Sequence, residues 1–303
     1  MAGLKQIQSQ IRSTNKTRKV TKAMESISAA KMRKAQQRTT SARGYARAAV
    51  SVLARVSGAG NIVDHPLAKP RTVERALYIV VTSDKGLAGG LNSGVLRAVT
   101  AHIKESGVVH ENISIVAVGR KANDHFARRG FKIEAFHPHK EDVVSRELIQ
   151  EITNEAANRF SMGACDAVYL AYQQFVTTFE QRPTLRTVFP LSLEELAEAT
   201  RDMSVKGAAS KEMTATRDVY EVEPSEGEVL GEILPRLASI FVYHALLESQ
   251  ASEHSARMVA MKSASDKGAE LSHAFTLKYN KARQAAITRE VSEITGGMEA
   301  MAK

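Results

Sequence analysis

Proline is missing from both ends of this 303-residue chain: none precedes Pro66 and none follows Pro235. Each end can therefore run as an uninterrupted helix. Cysteine occurs once, at Cys165, which excludes an internal disulfide. One cysteine among nine scattered histidines offers no spacing for a structural zinc site. Tryptophan is absent and other aromatics are few, but hydrophobic content is ordinary, so the middle of the chain can still bury a core. No run approaches eighteen apolar residues, and no segment is expected to span a membrane. The opening MAGLKQIQ lacks the apolar centre of a secretory signal.

Acids are nearly missing from the first helix. Residues 1–57 hold thirteen Lys/Arg and one acid, Glu25, a balance of +12. The whole chain carries +9, so the remainder sums to −3. Such a helix could bind nucleic acid, lie on an acidic membrane surface, face acidic protein loops, or simply be solvated. It also looks like a mitochondrial transit peptide. However, the pattern continues past Lys34 without a break, which a removable segment does not need.

The expected organisation has four parts: an N-terminal coiled-coil helix (1–57), an α/β domain (70–200), a polar connector (201–226) and a C-terminal coiled-coil helix (227–303). In the first, Leu4, Ile7, Ile11 and Thr14 step by three and four, and Met24 and Ile27 continue a similar stripe. SGAGN and DHPLAKP mark the boundary that follows. In the middle, strands are expected at 76–84, 113–119, 166–172 and 184–190. Helices are expected at 92–106, 121–129 and 145–162. That alternation predicts a largely parallel, Rossmann-like sheet.

The C-terminal seam is the clearest periodicity. From Leu230, Ile233, Leu237, Ile240, His244, Leu247 and Ala251 it continues through His254, Met258, Met261, Ser265, Gly268, Ser272, Phe275, Tyr279, Ala282 and Ala286. Steps of three and four alternate over eight heptads. The phase then slips by one residue and resumes at Ile287, Val291, Ile294, Met298 and Met301. The last turns are therefore expected to leave the N-terminal partner and enter a different environment. Small residues along the seam allow close helix approach.

Enzyme chemistry finds little support. SDKGLAGGLN (83–92) follows a strand and opens a helix, but Gly86, Gly89 and Gly90 do not make GxGxxG, and no GK[ST] occurs. His137 and His139 flank Pro138 without a nucleophile or carboxylate in order. His244 and His254 are too far apart for a metal pair on one helix. A rival binder reading, a basic coiled-coil nucleic-acid-binding protein, would need aromatics among the basic residues. Residues 1–57 hold only Tyr45.

Several segments carry a resemblance. They are IRSTNKTRKVTKAMESISAAKMRKAQ (11–36), SDKGLAGGLN, GRKA (119–122), RPTLRTVFPL (182–191), ASEHSARMVAMKSASDKG (251–268) and YNKARQAAITREVSEITGG (279–297). Together they resemble the gamma subunits of F-type ATP synthases, end to end. The family's loop commonly reads Arg and Cys where this chain has Lys85 and Ala88. The connector lacks the cysteine pair of chloroplast relatives. The resemblance implies α/β architecture with a long antiparallel coiled coil, a rod of the two terminal helices beside a Rossmann-like domain. It implies a non-catalytic rotor shaft of the synthase, with no cofactor. The implied partners are the alpha and beta subunits, the epsilon subunit and the c ring, with no direct membrane span.

The resemblance also assigns residues. Lys22 and Met24, with Arg257 opposite, match the rotor–stator contact. Arg283, Gln284 and Thr288 match positions touching a beta-subunit loop, and Glu290 and Glu293 continue that stretch. Lys85 and Ala88 match a loop near the beta subunit's acidic lever. Tyr220, Glu223 and Pro224 match the foot near the c ring and epsilon. With no presequence ahead of the helix, a bacterial protein is expected, peripheral on the cytoplasmic face of the plasma membrane.

Overall fold

The computed structural model describes residues 2–57, 65–138, 144–192 and 226–301. The connector, with Tyr220, Glu223 and Pro224, lies outside the described residues. Two compact units result, one of Met1–Ala29 with Arg257–Lys303 and one of Ala30–Ala256.

The larger unit is built on a five-stranded sheet. Its elements run β1 (Ala76–Val81), α2 (Leu91–Ser106), β2 (Ile113–Val118), α3 (Arg120–Ala127), β3 (Lys132–His137), α4 (Arg146–Ser161), β4 (Ala167–Phe175) and β5 (Gln181–Phe189). The strand order is β3-β2-β1-β4-β5. β1, β2, β3 and β4 are parallel, whereas β5 is antiparallel to β4. All of β1 is buried, as its unbroken apolar run requires when both faces of a parallel sheet are covered.

Alternation sorts the side chains of β1. Leu77, Ile79 and Val81 join the core that holds Ile152, Ala156 and Phe160 of α4. Tyr78 and Val80 join the core with Val95, Leu96 and Val99 of α2 and Ala122 and Phe126 of α3. The first core also takes Leu230, Leu234, Leu237, Ala238, Val242, Ala245 and Leu246. These belong to the C-terminal helix α5 (Glu226–Met301).

The largely parallel sheet holds with one antiparallel strand added, and two other readings from periodicity change. The sheet is mixed: β5 follows β4 through a short hairpin, because a parallel crossover needs a dozen or more residues and the chain supplies only five. β3 went unpredicted because it is an edge strand, half-exposed along most of its length, so it carries no apolar run. Its charges are paired instead, Lys132 with Glu134 at 2.8 Å and Glu134 with Arg159 of α4 at 2.9 Å. Finally, the early C-terminal seam is not a two-helix seam. Between Val242 and Arg257 most positions are buried, whichever way they face. One eighteen-residue window within Gly227–Met298 has a mean hydropathy of 1.3, enough by length and composition to cross a membrane. Leu230, Leu234, Leu237, Ala238, Val242, Ala245 and Leu246 of that helix lie in the sheet core, and 44 % of the window is buried.

The smaller unit pairs the first half of α1 (Ala2–Ser57) with the second half of α5. Ser272 Oγ donates to Asn15 Oδ1 at 2.9 Å, and Gly268 lies over Arg18. Rising numbers on one helix meet falling numbers on the other, so the pair is antiparallel. On α5, Ser265, Gly268, Ser272, Phe275, Tyr279, Ala282 and Ala286 are the covered positions, as the seam predicts.

On α1 the phase differs from the apolar reading. After Thr14 the fully buried positions are Thr21 and Ser28, with Asn15, Met24 and Glu25 half-buried, then Met32, Ala35 and Thr39 in the larger unit. Ile27 is 57 % exposed. Small polar residues serve here because helix backbones approach closely, and a hydroxyl can satisfy itself on its own helix. Thr21 Oγ donates to the Arg18 carbonyl and Thr39 Oγ to the Ala35 carbonyl, both at 3.0 Å.

One buried carboxylate joins β1 to β4. Asp166 accepts from the backbone N–H groups of Glu74 and Arg75, and pairs with the Arg75 guanidinium at 3.1 Å. Burial raises the Asp166 pKa, but these donors outweigh it and hold the value below the ordinary 3.8. The folded pKa is thus lower than the unfolded one. The stabilisation is complete above the ordinary value and is lost as pH falls through the folded value. Asp166→Asn is expected to cost about 1.5–3 kcal/mol at pH 7, and urea melts should show the difference from the parent shrinking below pH 4.

At Gly268 an added Cβ would meet the Arg18 Cβ at 3.4 Å, an ordinary contact. Gly268→Ala is therefore expected to gain up to about 1 kcal/mol from helix propensity. Gly268→Leu should lose about 1–3 kcal/mol by forcing the pair apart. Thermal melts followed by circular dichroism will separate the two outcomes.

Candidate functional site

The loop 83–92 and the GRKA segment, far apart in sequence, form one structure at the carboxyl end of the sheet. α3 begins after Gly119, which has no side chain to cap the helix. The turn leaving β1 caps it instead. The N–H of Arg120 reaches Asp84 Oδ1 at 2.8 Å, that of Lys121 the Ser83 carbonyl at 3.3 Å, and that of Ala122 Thr82 Oγ1 at 2.9 Å. Three of the donors that a helix start leaves orphaned are thereby satisfied.

The loop itself is clamped at its base. The Ser83 N–H donates to Asn92 Oδ1 at 3.0 Å, Asn92 Nδ2 donates to Ser83 Oγ at 2.8 Å, and Ser83 Oγ donates to the Lys85 carbonyl at 2.6 Å. Lys85 is exposed, and Ala88 is buried beneath the loop. Leu87 stands between them, 62 % exposed with φ of 63°, a left-handed conformation that costs a bulky residue. Reading the motif for phosphate-binding glycines missed this leucine. Its one signal is an apolar residue set among three glycines.

In the helical pair, Arg18, Lys19, Lys22, Ala23 and Ser26 of α1 and Ser265, Asp266 and Ala269 of α5 line an open cleft of about 490 Å³. Lys22 pairs with Glu25 at 3.0 Å, and Met24 is half-buried nearby on α1. Arg257 is not on this surface: only 8 % of it is exposed. Arg283, Gln284, Thr288, Glu290 and Glu293 are all exposed.

The turns of α5 beyond Ala286 are uncovered among the described residues. Ile287, Val291, Ile294 and Met298 are 51–67 % exposed. The slip in the seam thus marks where the helix loses its partner. Among the described residues no group of three or more His, Cys, Asp or Glu could hold a metal ion. Cys165 is buried, and burial followed by the neighbouring Asp166 charge pushes its thiol up to about 11.

The chain thus combines an α/β unit with an antiparallel helical pair whose apolar C-terminal turns are uncovered among the described residues. Residues 3–301 match the family model described as ATP synthase. The chain is 38 % identical to the ATP synthase gamma chain of Heliobacterium modesticaldum and 39 % identical to that of Pelotomaculum thermopropionicum. Each alignment covers 99 % of this chain and all of the relative.

Solved structures share the fold. A chain of the Euglena gracilis mitochondrial ATP synthase (OSCP/F1/c-ring, rotational state 3) aligns with a TM-score of 0.65 at 17 % identity, over 99 % of this chain and 95 % of that one. A chain of the Tetrahymena thermophila mitochondrial ATP synthase central stalk and c-ring aligns with a TM-score of 0.58 at 21 % identity, over 81 % and 99 %. This chain belongs to the ATP synthase gamma chain family.

Gly119 is where the site is most tightly constrained. Its φ is 94°, and an added Cβ would sit 2.1 Å from the Thr82 carbonyl oxygen. Gly119→Ala is expected to cost on the order of 3 kcal/mol or more. A urea titration of the purified chain measures the loss.

Proposed function

We propose that this chain is the central rotor shaft of an F-type ATP synthase. It couples ion-driven rotation of a c ring to the conformational cycle of nucleotide sites in a ring of alpha and beta subunits. The single observation that carries the reading is the apolar end of α5, uncovered among the described residues, in a chain of the gamma family. Contacts between apolar groups are non-directional, so such an end can turn in an apolar sleeve without being gripped. An asymmetric shaft biases identical sites towards different states, and the sites supply the chemistry. On this reading the chain is non-catalytic.

The exposed basic residues of α1 face carboxylates on the surrounding ring. Exposed ion pairs are worth about 0–1 kcal/mol each and can be broken at every step. Lys22 and Met24 lie on this sliding surface, as do Arg283, Gln284, Thr288, Glu290 and Glu293 on α5. Arg257, buried within its own chain, acts by holding its helix in place. Lys85 and its loop face the beta subunits, with Ala88 supporting the loop from below. Tyr220, Glu223 and Pro224 belong to the foot, towards epsilon and the c ring. The protein is then peripheral, on the cytoplasmic face of a bacterial plasma membrane.

Reconstitution with alpha and beta subunits tests the proposal. One copy of the chain per ring and stimulated ATP hydrolysis are expected. Met24→Ala and Gln284→Ala should leave assembly intact while lowering ion transport per ATP hydrolysed several-fold in the complete synthase. A ring that neither binds the chain nor changes its hydrolysis rate would sink the reading.

A further inference from the structure

β4 outruns its parallel neighbour. Its pairing with β1 ends at Ala171, but the strand continues to Phe175 and turns back into β5. The hairpin therefore overhangs the sheet, with backbone groups that β1 no longer reaches. α5 supplies donors to it. Ser252 Oγ donates to the Gln173 carbonyl at 3.0 Å, and Ser255 Oγ donates to the Thr178 carbonyl at 2.6 Å.

These two serines behave unlike others in the helix. A Ser hydroxyl in a helix commonly bonds back to its own turn, as Ser239 Oγ does to the Pro235 carbonyl at 3.0 Å. Ser252 and Ser255 instead reach 79 and 77 residues back along the chain. Both are fully buried. Three residues apart, they lie on one face of α5.

The acceptors are fixed in place. In the turn, Thr177 Oγ1 accepts from the N–H groups of Phe179 and Glu180 at 3.3 and 3.0 Å. The Thr178 carbonyl also accepts from Gln181 Nε2 at 3.1 Å. At the base of the overhang, Gly94 of α2 leaves room for the side chains of Gln173 and Pro183, each 3.9 Å from where a Cβ would sit.

The place of the two bonds along α5 suggests their use. Nearer its start the helix is held in the sheet core by aliphatic side chains such as Leu234, Leu237 and Leu246. Those contacts are non-directional and fix the azimuth of a helix only through fit. Hydrogen bonds are directional, so the pair at Ser252 and Ser255 fixes register and azimuth together. From Ile240 to Ala256 no residue of α5 is exposed. The two bonds fall in the last turns before Arg257, where the larger unit ends, and the same helix runs on to Met301.

We propose that the β4–β5 overhang is a torque grip, which fixes the azimuth of α5 where the helix leaves the α/β unit, with Ser252 and Ser255 as its positioning residues. The use of such a grip rests on the rotor-shaft reading. A twist applied to the α/β unit reaches the far end of α5 only if the helix cannot turn in its seat. Apolar packing yields to a twist by degrees, whereas the two crossing bonds must break first.

The test uses the complete synthase assembled with the full chain. Ser252→Ala with Ser255→Ala removes both hydroxyls, and alanine favours the helix. Ion transport driven by ATP against an opposing gradient should fall about fivefold or more, while hydrolysis without a gradient stays at the parent's rate. Ser239→Ala, which loses a bond within its own helix, should transport as the parent does. Ser255→Thr keeps the donor and should retain more transport than Ser255→Ala. Should the double variant fail to assemble, Ser255→Ala alone is read by the same ratio of transport to hydrolysis.

If that ratio equals the parent's, whether or not the melting temperature falls, the bonds serve stability only; the grip is overturned and the shaft stands. If the parent chain neither assembles with its ring nor stimulates hydrolysis, the shaft reading fails and the grip falls with it.

Discussion

A parallel sheet whose strands are apolar on both sides must be covered twice, and the larger unit is organised by that demand. α2 and α3 cover one face. α4 covers the other together with the first half of α5. The sheet therefore recruits a helix that arrives more than thirty residues after β5, and the order of elements in space departs from their order in sequence. Burying Leu230 to Leu246 consumes the most apolar stretch of the chain. A stretch that would suit a bilayer by composition is thus partly taken up by a protein core.

Covering both faces leaves the ends of the sheet as the free surface, and the carboxyl end is finished with unusual economy. One short turn after β1 caps α3 through Thr82, Ser83 and Asp84 while its next residues present Lys85 and Leu87. Stability and presentation are thus coupled in the same turn. Gly119 is confined because the Thr82 carbonyl occupies the space a side chain would need.

The helical pair solves a different problem. Its seam is narrow and built from Thr, Ser, Gly and Ala as much as from aliphatics, which trades apolar area for close backbone approach. Close packing of small residues leaves the larger apolar side chains outside, and Val20 and Ile27 on α1 are both more than half exposed. On α5 the same rule ends abruptly after Ala286, where every described position is exposed.

Periodicity and breakers made much of this legible in advance. Both terminal helices follow from the lack of proline and from three-and-four spacing. The strands β1, β2 and β4 follow from short apolar runs between turn signals. The point where α5 loses its partner could be read from a one-residue slip in phase, because a helix face is fixed by geometry alone. What the sequence could not decide was which surface each face meets. The α5 seam looks uniform from Leu230 to Ala286, yet its first half packs in the sheet core and its second half on α1. On α1, hydroxyl residues bonded to their own helix carry the seam past Thr14, so apolarity pointed to Ile27 instead. Likewise, only the tertiary structure shows that SDKGLAGGLN and GRKA are one cap, and that Ser252 and Ser255 of α5 bond to the β4–β5 hairpin. Local pattern is set by the backbone period. Partnership is set by which faces compete for the same burial, and that is settled only when the whole chain has folded.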